Sequence, residues 1–291
     1  MLPNRLYSAV FNDSRRCLVR NRKIGNNRTI GVGCSFANSS SSFLVVLGSP
    51  SLLLSESKIC HVLKNVSKLI CFALKEEAAP FWKIAAGKSD VSILITGIGR
   101  QNAEKSIRDF LTSNSPNLVL TCGFAGGLNP DLKLGEVVFE LTDRRGEFHE
   151  PQTEKKIRDS QSSSLREKLL AAGAKPAKIF CADRIATTVG EKGKLRAETG
   201  ADAVEMESEA IHAICRERGI PCATVRVILD TASEDLPLDF NQIAKPDMSL
   251  DFGKLAWAVA KSPGKIGALL RLRKQCRLAA EHLAAALSRV L

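Results

Sequence analysis

Ala203-Val-Glu-Met-Glu207 opens an amphipathic segment in which Met206, Ala210, Ile211 and Ile214 share one face at helical spacing. It leads into a run over 223–229 that is apolar apart from Arg226 and ends at Asp230. The period near 3.6 predicts a helix over 204–218, and the short apolar run predicts a strand buried on both faces. A helix that feeds a buried strand is the repeating unit of an α/β fold. Acidic residues stand at both ends of this unit, Glu205 and Glu207 at its start and Asp230 at its finish. Such a placement suits a site that grips polar hydroxyls and delivers a proton.

The same alternation extends outward in both directions. Residues 69–74 and 91–96 read as strands, 102–112 as a helix, 118–122 as a buried strand and 136–141 as another. Further on, 165–172 reads as helical and 177–181 as extended. Strands alternating with helices imply a sheet covered on both faces, hence a three-layer α/β/α domain with a mixed central sheet. In sheets of this kind ligands sit at strand ends.

Composition bounds the answer without deciding it. A chain of 291 residues with 44% apolar content buries one large core or two small ones, and it carries no repeat array. The net charge of +11 is concentrated at the ends: residues 1–65 carry +7 and residues 262–291 carry +5. With 5% aromatic residues and no basic stripe interleaved with aromatics, this charge is weak support for nucleic-acid binding, which is not expected. The nine cysteines lack a C-x-x-C or a zinc spacing with histidine, and the four histidines are scattered. Neither a metal nor a cofactor is expected, and a reducing cytoplasm is the simplest setting.

Residues 1–65 read differently from the rest. They are rich in Arg, Asn and Ser, poor in acids and without sustained periodicity. Their apolar run, 43–54, is broken by Gly48 and Pro50 and is too short to span a bilayer. A disordered extension or a mis-assigned start is favoured over a secretory signal or an organelle transit peptide. Residues 66–291 are expected to form a single domain.

Two glycine motifs follow strands. Thr96-Gly-Ile-Gly-Arg-Gln-Asn102 opens a helix, so its backbone N–H groups are able to approach an anion or a sugar, although a plain tight turn explains it equally well. It lacks the third glycine of a dinucleotide fingerprint, and no phosphate-loop lysine motif occurs. Thr121-Cys-Gly-Phe-Ala-Gly-Gly127 ends the apolar strand with three glycines in five residues, which permits a close approach of ligand to backbone.

Taken with Leu134-Gly-Glu-Val-Val138, Ala203-Val-Glu-Met-Glu207, Ile220-Pro221 and Asp230-Thr-Ala232, these motifs resemble the ordered landmarks of methylthioadenosine/S-adenosylhomocysteine nucleosidases and related nucleoside phosphorylases. The resemblance covers roughly residues 66–245 and implies cleavage of an N-glycosidic bond through an oxocarbenium-like sugar. It makes Asp230 the acid that protonates purine N7, with burial at a strand end raising its pKa. Glu207 becomes the acceptor for the ribose 2′ and 3′ hydroxyls, with Met206 packed on the sugar. Glu77, in Ala73-Leu-Lys-Glu-Glu77, matches the residue that positions the attacking water, with Glu76 as the alternative. Phe124, Ala125, Gly126 and Ile185 are carried over as further substrate-binding positions, and Glu205 is given a structural role at a helix start.

Two departures bear on the chemistry. Phe124 replaces a residue that is commonly Ser in the nucleosidases, and Thr121 stands where the phosphorylases carry a phosphate-binding arginine. Water is thereby favoured over phosphate, with Arg100 keeping phosphorolysis open. Asp235-Leu-Pro-Leu-Asp-Phe240 and Pro263-Gly-Lys-Ile-Gly-Ala-Leu-Leu-Arg-Leu-Arg273 are similar to a hopanoid-associated branch linked to adenine removal from adenosylhopane. In residues 262–291, Ile266, Leu269, Leu270 and Leu272 among Lys265, Arg271, Arg273 and Lys274 fit either a solvated helix covering the core or a basic amphipathic surface in peripheral membrane contact. Family resemblance also implies a homo-oligomer, and the two rival readings are a non-catalytic nucleoside binder and, on charge alone, a nucleic-acid binder.

Overall fold

The computed structural model describes residues 67–141, 160–245, 248 and 251–291; the expectations for residues 1–65 lie outside these. Strand β1 (Lys68–Phe72) lies parallel between β2 (Val91–Ile95) and β3 (Leu118–Gly127), with Leu69 opposite Val119 and Phe72 opposite Cys122. Strand β8 (Cys222–Asp230) runs parallel to β3 on one side and antiparallel to β4 (Val137–Leu141) on the other, which makes the sheet mixed. The two-residue β5 (Lys175–Pro176) extends it, giving the order β2-β1-β3-β8-β4-β5. Two short strands leave this path: β7 (Ala203–Glu205) pairs antiparallel with the glycine end of β3, and β6 (Ile179–Cys181) pairs with β7.

Alternation along β1 divides the core. Ile70 and Phe72 face one layer, built from α1 (Lys75–Ala85), α3 (Ser160–Ala171) and the long α8 (Ile266–Val290). Leu69 and Cys71 face the other, built from α2 (Arg100–Phe110) and α5 (Ser208–Glu217). Because both faces are covered, the central strands read as apolar runs rather than as alternating ones, which is what made them visible in sequence.

Three readings are corrected here. The helix expected over 204–218 is shorter, because Ala203–Glu205 is captured as a strand by Gly126 and Gly127 of β3, and α5 begins only at Ser208. Met206 therefore precedes the helix. The strand expected over 118–122 continues through the glycine motif to Gly127, with an irregular step between Ala125 and Gly126, so these glycines lie within the strand rather than at its end. Helix α1 was not anticipated, and neither was α4 (Val189–Thr199), which is capped by Thr188 and Glu191.

The C-terminal half of α8 is core: Ala279, Leu283, Ala284, Leu287 and Val290 are buried against α1 and the sheet. Its N-terminal half is not, with Leu270 62% exposed, and α7 (Phe252–Lys261) carries Trp257 equally exposed at 62%. No helix among the described residues is long and apolar enough to cross a membrane. Truncating Leu283 to Ala, with no exposed surface in the native state, is expected to destabilise the fold by about 2–5 kcal/mol, whereas Leu270→Ala should stay within about 0.5 kcal/mol of wild type; urea unfolding of both variants measures this.

Candidate active site

The carboxyl ends of the parallel strands β1, β3 and β8 meet the end of β7, and four buried carboxyl groups gather there: Glu77, Glu205, Glu207 and Asp230. Three of them surround Arg226, which projects from β8 and is 1% exposed. A guanidinium so deeply buried must be paired to be tolerated. Arg226 Nη2 pairs with Glu205 Oε2, donates to Thr121 Oγ1 at 3.0 Å, and lies 3.6 Å from Glu207 Oε2. Its Nε–H has no hydrogen-bond partner among the described residues.

Each glutamate is held differently. Glu205 ends β7, where Oε2 accepts from the backbone N–H groups of Glu207 (3.0 Å) and Ser208 (2.9 Å) and Oε1 accepts from Ser208 Oγ (2.5 Å). Burial raises its proton affinity, but the Arg226 guanidinium and the Ser208 donors outweigh that and keep it ionised below the usual carboxylate range. It thus serves the start of α5, from the end of a strand rather than from within the helix. Glu207 follows two residues later, and its Oε1 accepts from Gly99 N at 2.8 Å. Burial pushes its pKa up to about 7, with Glu205 and Glu77 adding repulsion and Arg226 opposing.

Glu77 lies in the first turn of α1, where Oε1 accepts from Phe124 N (2.8 Å) and Oε2 from Leu74 N (2.9 Å). Burial raises its pKa against the pull of the Phe124 N–H and Arg226. The neighbouring Glu76 is exposed, so Glu77 is the member of the pair that reaches the cluster. Glu77 and Arg226 converge over Gly123: a Cβ built there would lie 2.6 Å from Arg226 Nη1 and 2.8 Å from Glu77 Oε1, so any side chain at 123 would displace one of them.

Asp230 closes β8 next to Gly126, whose own Cβ would come within 3.4 Å of Asp230 Oδ2. Burial raises its pKa, and the ion pair with Lys192 pulls the other way. Met206 and Ala125 are buried beside these groups, and Phe124 contributes its backbone N–H to Glu77. Ile185 belongs to a loop fixed from elsewhere: its N–H donates to Asn241 Oδ1 at 3.0 Å and its carbonyl accepts from Asn241 Nδ2 at 2.9 Å.

The glycine loop before α2 does not offer Gly99 N–H to an outside anion, because Glu207 already takes it. Arg100 is also engaged, at 2.7 Å from Glu209 and 3.4 Å from Asp183. Two residues central to the cluster, Arg226 and Lys192, were not singled out in the sequence. Arg226 did carry a signal, since a lone charge within an otherwise apolar strand requires a buried partner. Among the described residues no group of three or more His, Cys, Asp or Glu side chains is arranged to hold a metal ion.

A mixed sheet between two helical layers, with acids at the carboxyl ends of its strands, defines an α/β enzyme-like framework. The Phosphorylase superfamily matches residues 54–260, and the chain belongs to it. Among curated relatives it is 26% identical over 173 residues to the 5′-methylthioadenosine/S-adenosylhomocysteine nucleosidase of Shewanella halifaxensis, covering 54% of this chain and 75% of that one. It is 28% identical over 175 residues to the enzyme of the same name from Marinomonas sp., covering 54% and 74%. The fold is similar to futalosine hydrolase of Helicobacter pylori (TM-score 0.51, 19% identity, 76% of this chain and 97% of that one). It is also similar to the Neisseria meningitidis nucleosidase in complex with methylthio-immucillin-A (TM-score 0.52, 18% identity, 77% and 98%).

Because burial lifts Glu207 from an ordinary value of 4.5 to about 7 in the folded protein, its ionisation opposes folding. Wild-type stability should fall as pH rises from about 4.5 through 7, by roughly 3 kcal/mol, and Glu207→Gln should flatten that slope; urea unfolding at pH 5 and pH 7.5 reads the difference.

Proposed function

We propose that residues 66–291 form a catalytic domain that hydrolyses the N-glycosidic bond of a 5′-modified adenosine and releases adenine. The observation that carries this reading is the convergence of Glu77, Glu205 and Glu207 on Arg226, beside a buried Asp230. Glu207, poised near pH 7, suits the ribose hydroxyls as an acceptor. Glu77 keeps lone pairs free after accepting two backbone N–H groups and so can orient a water on the sugar face. In the reaction the water oxygen bonds to C1′ while the C1′–N bond breaks, Asp230 gives its proton to the departing base, and Glu77 takes a proton from the water. The products are adenine and the free sugar.

Charge favours water over phosphate as nucleophile. Among the described residues, a phosphate dianion would enter a cluster of carboxylates whose one guanidinium is already matched by Glu205 and Glu207, while Arg100 is matched by Glu209 and Asp183. Unpaired anions at such separations repel strongly in a poorly solvated site.

For the 5′ substituent, a polycyclic lipid tail as in adenosylhopane is ranked ahead of methylthio. Support comes from the resemblance at 235–240 and 263–273 and from the surface of α7 and early α8, where Trp257 and Leu270 are each 62% exposed. Residues 252–280 carry seven Lys or Arg and no Asp or Glu, a composition suited to an anionic bilayer surface. A cytoplasmic homo-oligomer with peripheral membrane contact is part of the same reading.

Adenine release from adenosylhopane and methylthioadenosine is expected without phosphate, and Asp230→Asn should lower kcat by about 10²- to 10⁴-fold while leaving nucleoside binding near wild type. A strict phosphate requirement would transfer the chain to the phosphorylases, and release from no nucleoside would leave the silent-binder reading. Sedimentation with phosphatidylglycerol vesicles should be strong at low salt and weakened by Leu270→Glu; sedimentation no greater than with neutral vesicles would remove the membrane contact.

A further inference from the structure

Helix α4 runs over the surface, and its one buried residue is a lysine. Lys192 is 0% exposed, at a position where packing alone would call for an aliphatic side chain. The helix start that delivers it is rigid: Thr188 Oγ1 accepts from Glu191 N at 3.2 Å, and Glu191 Oε2 accepts from Thr187 N at 2.7 Å. Lys192 Nζ donates to the carbonyls of Thr231 (2.7 Å) and Glu234 (2.6 Å) and forms an ion pair with Asp230 Oδ2. Two carbonyls and the ion-paired carboxylate surround the ammonium, and all three partners belong to the stretch that ends β8 and turns away from it. The turn is closed a second time by Glu234, whose Oε2 accepts from Thr231 N (3.1 Å) and Thr231 Oγ1 (3.0 Å).

We propose that Lys192 is the positioning residue of Asp230: it anchors Oδ2, so that Oδ1 is the oxygen that carries the proton to the leaving base, and it faces the carboxylate that remains. This rests on the reading of Asp230 as the acid. In the step concerned, the O–H bond at Oδ1 breaks, the proton goes to a ring nitrogen of the base, and the electron pair of the C1′–N bond moves into the base. The negative charge left on Asp230 lies against an ammonium whose own proton count is unchanged.

Among the described residues, the other neighbours of Asp230 supply no second cation. Glu234, from the following turn, adds negative charge, Cys276 of α8 faces it as a thiol, and Gly126 of β3 approaches with backbone only. Burial holds the proton on Asp230, and Lys192 limits how tightly it is held.

The alternative role is a structural staple for the 231–234 turn, and pH profiles separate the two. Activity that needs a protonated Asp230 falls as pH rises through its pKa, so removing the cation in Lys192→Met should move that falling limb of kcat/KM upward by about 1–3 pH units. In the same variant kcat should drop with KM little changed, and Lys192→Arg should keep the limb near its wild-type position. A folded Lys192→Met enzyme whose limb does not move, with only its melting temperature lowered, overturns the proposal. If that variant does not fold, the ¹⁵Nζ resonance of Lys192 in the wild-type protein decides. It should titrate at the pH of the activity limb and stop titrating in Asp230→Asn; a flat wild-type response overturns the proposal. Wild-type protein that cleaves no nucleoside defeats the functional reading instead, while the ammonium titration still reports whether Lys192 is coupled to Asp230.

Discussion

A guanidinium placed inside a protein core must find its counter-charge there, and in this fold the demands of Arg226 organise the surroundings. Its partners come from separate elements: Thr121 from β3, Glu205 from the end of β7, and Glu207 from the start of α5. Removing the Glu205 carboxylate would leave buried charge uncompensated, a loss of several kcal/mol. The same scarcity of cations sorts the glutamates. One guanidinium cannot neutralise three carboxylates, so Glu205, in direct contact, stays ionised, while Glu207 and Glu77 are pushed up by burial. Residues of one type are thus shifted in opposite directions by position alone, the kind of separation that acid–base chemistry uses.

The site is carried by central strands rather than by flexible loops. Its floor is β3, which has to be glycine where side chains from neighbouring elements cross it. At Gly123 the crossing groups are Arg226 and Glu77, and at Gly126 the crossing group is Asp230. Extending β3 to Gly127 also creates the edge that captures Ala203–Glu205, which in turn fixes where Glu205 and Glu207 emerge. Backbone pairing and carboxylate placement are therefore consequences of the same glycines, and rigid support of this kind keeps a reactive geometry within narrow limits.

These relations explain what was legible in the sequence. The strands over 118–122 and 223–229 announced themselves because burial on both faces removes polar residues from them. Ala203–Glu205 did not, because Ala, Glu and Met favour a helix locally and the strand partner that overrides them lies at Gly126 and Gly127. Helix α1 carries Pro80 within it, which argues locally against a helix, and α4 is polar almost throughout, so it shows no apolar stripe. The carboxylates were found through the order of their motifs. Their cations were not, since Arg226 finds Thr121 and Glu205 at sequence separations of 105 and 21, and Lys192 finds carbonyls that leave no trace in residue type.

Among the described residues the two buried basic side chains, Arg226 and Lys192, pair with different acids. Arg226 serves the end where Glu205 and Glu207 sit and where positive charge on a sugar would be stabilised by carboxylates. Lys192 pairs with Asp230, where, on the proposed reading, a proton would leave and a negative charge would then be tolerated. Arg226 keeps Glu205 ionised, whereas Glu207 is pushed up to about 7 and Asp230 is raised by burial even beside its own ammonium. Dividing the cations lets one end stay anionic while the other retains its acid, because each pair interacts over a few ångströms in surroundings that screen poorly. On the proposed reading, the positions of these four acids and two cations supply the polarity that would draw electrons from a sugar toward a departing base.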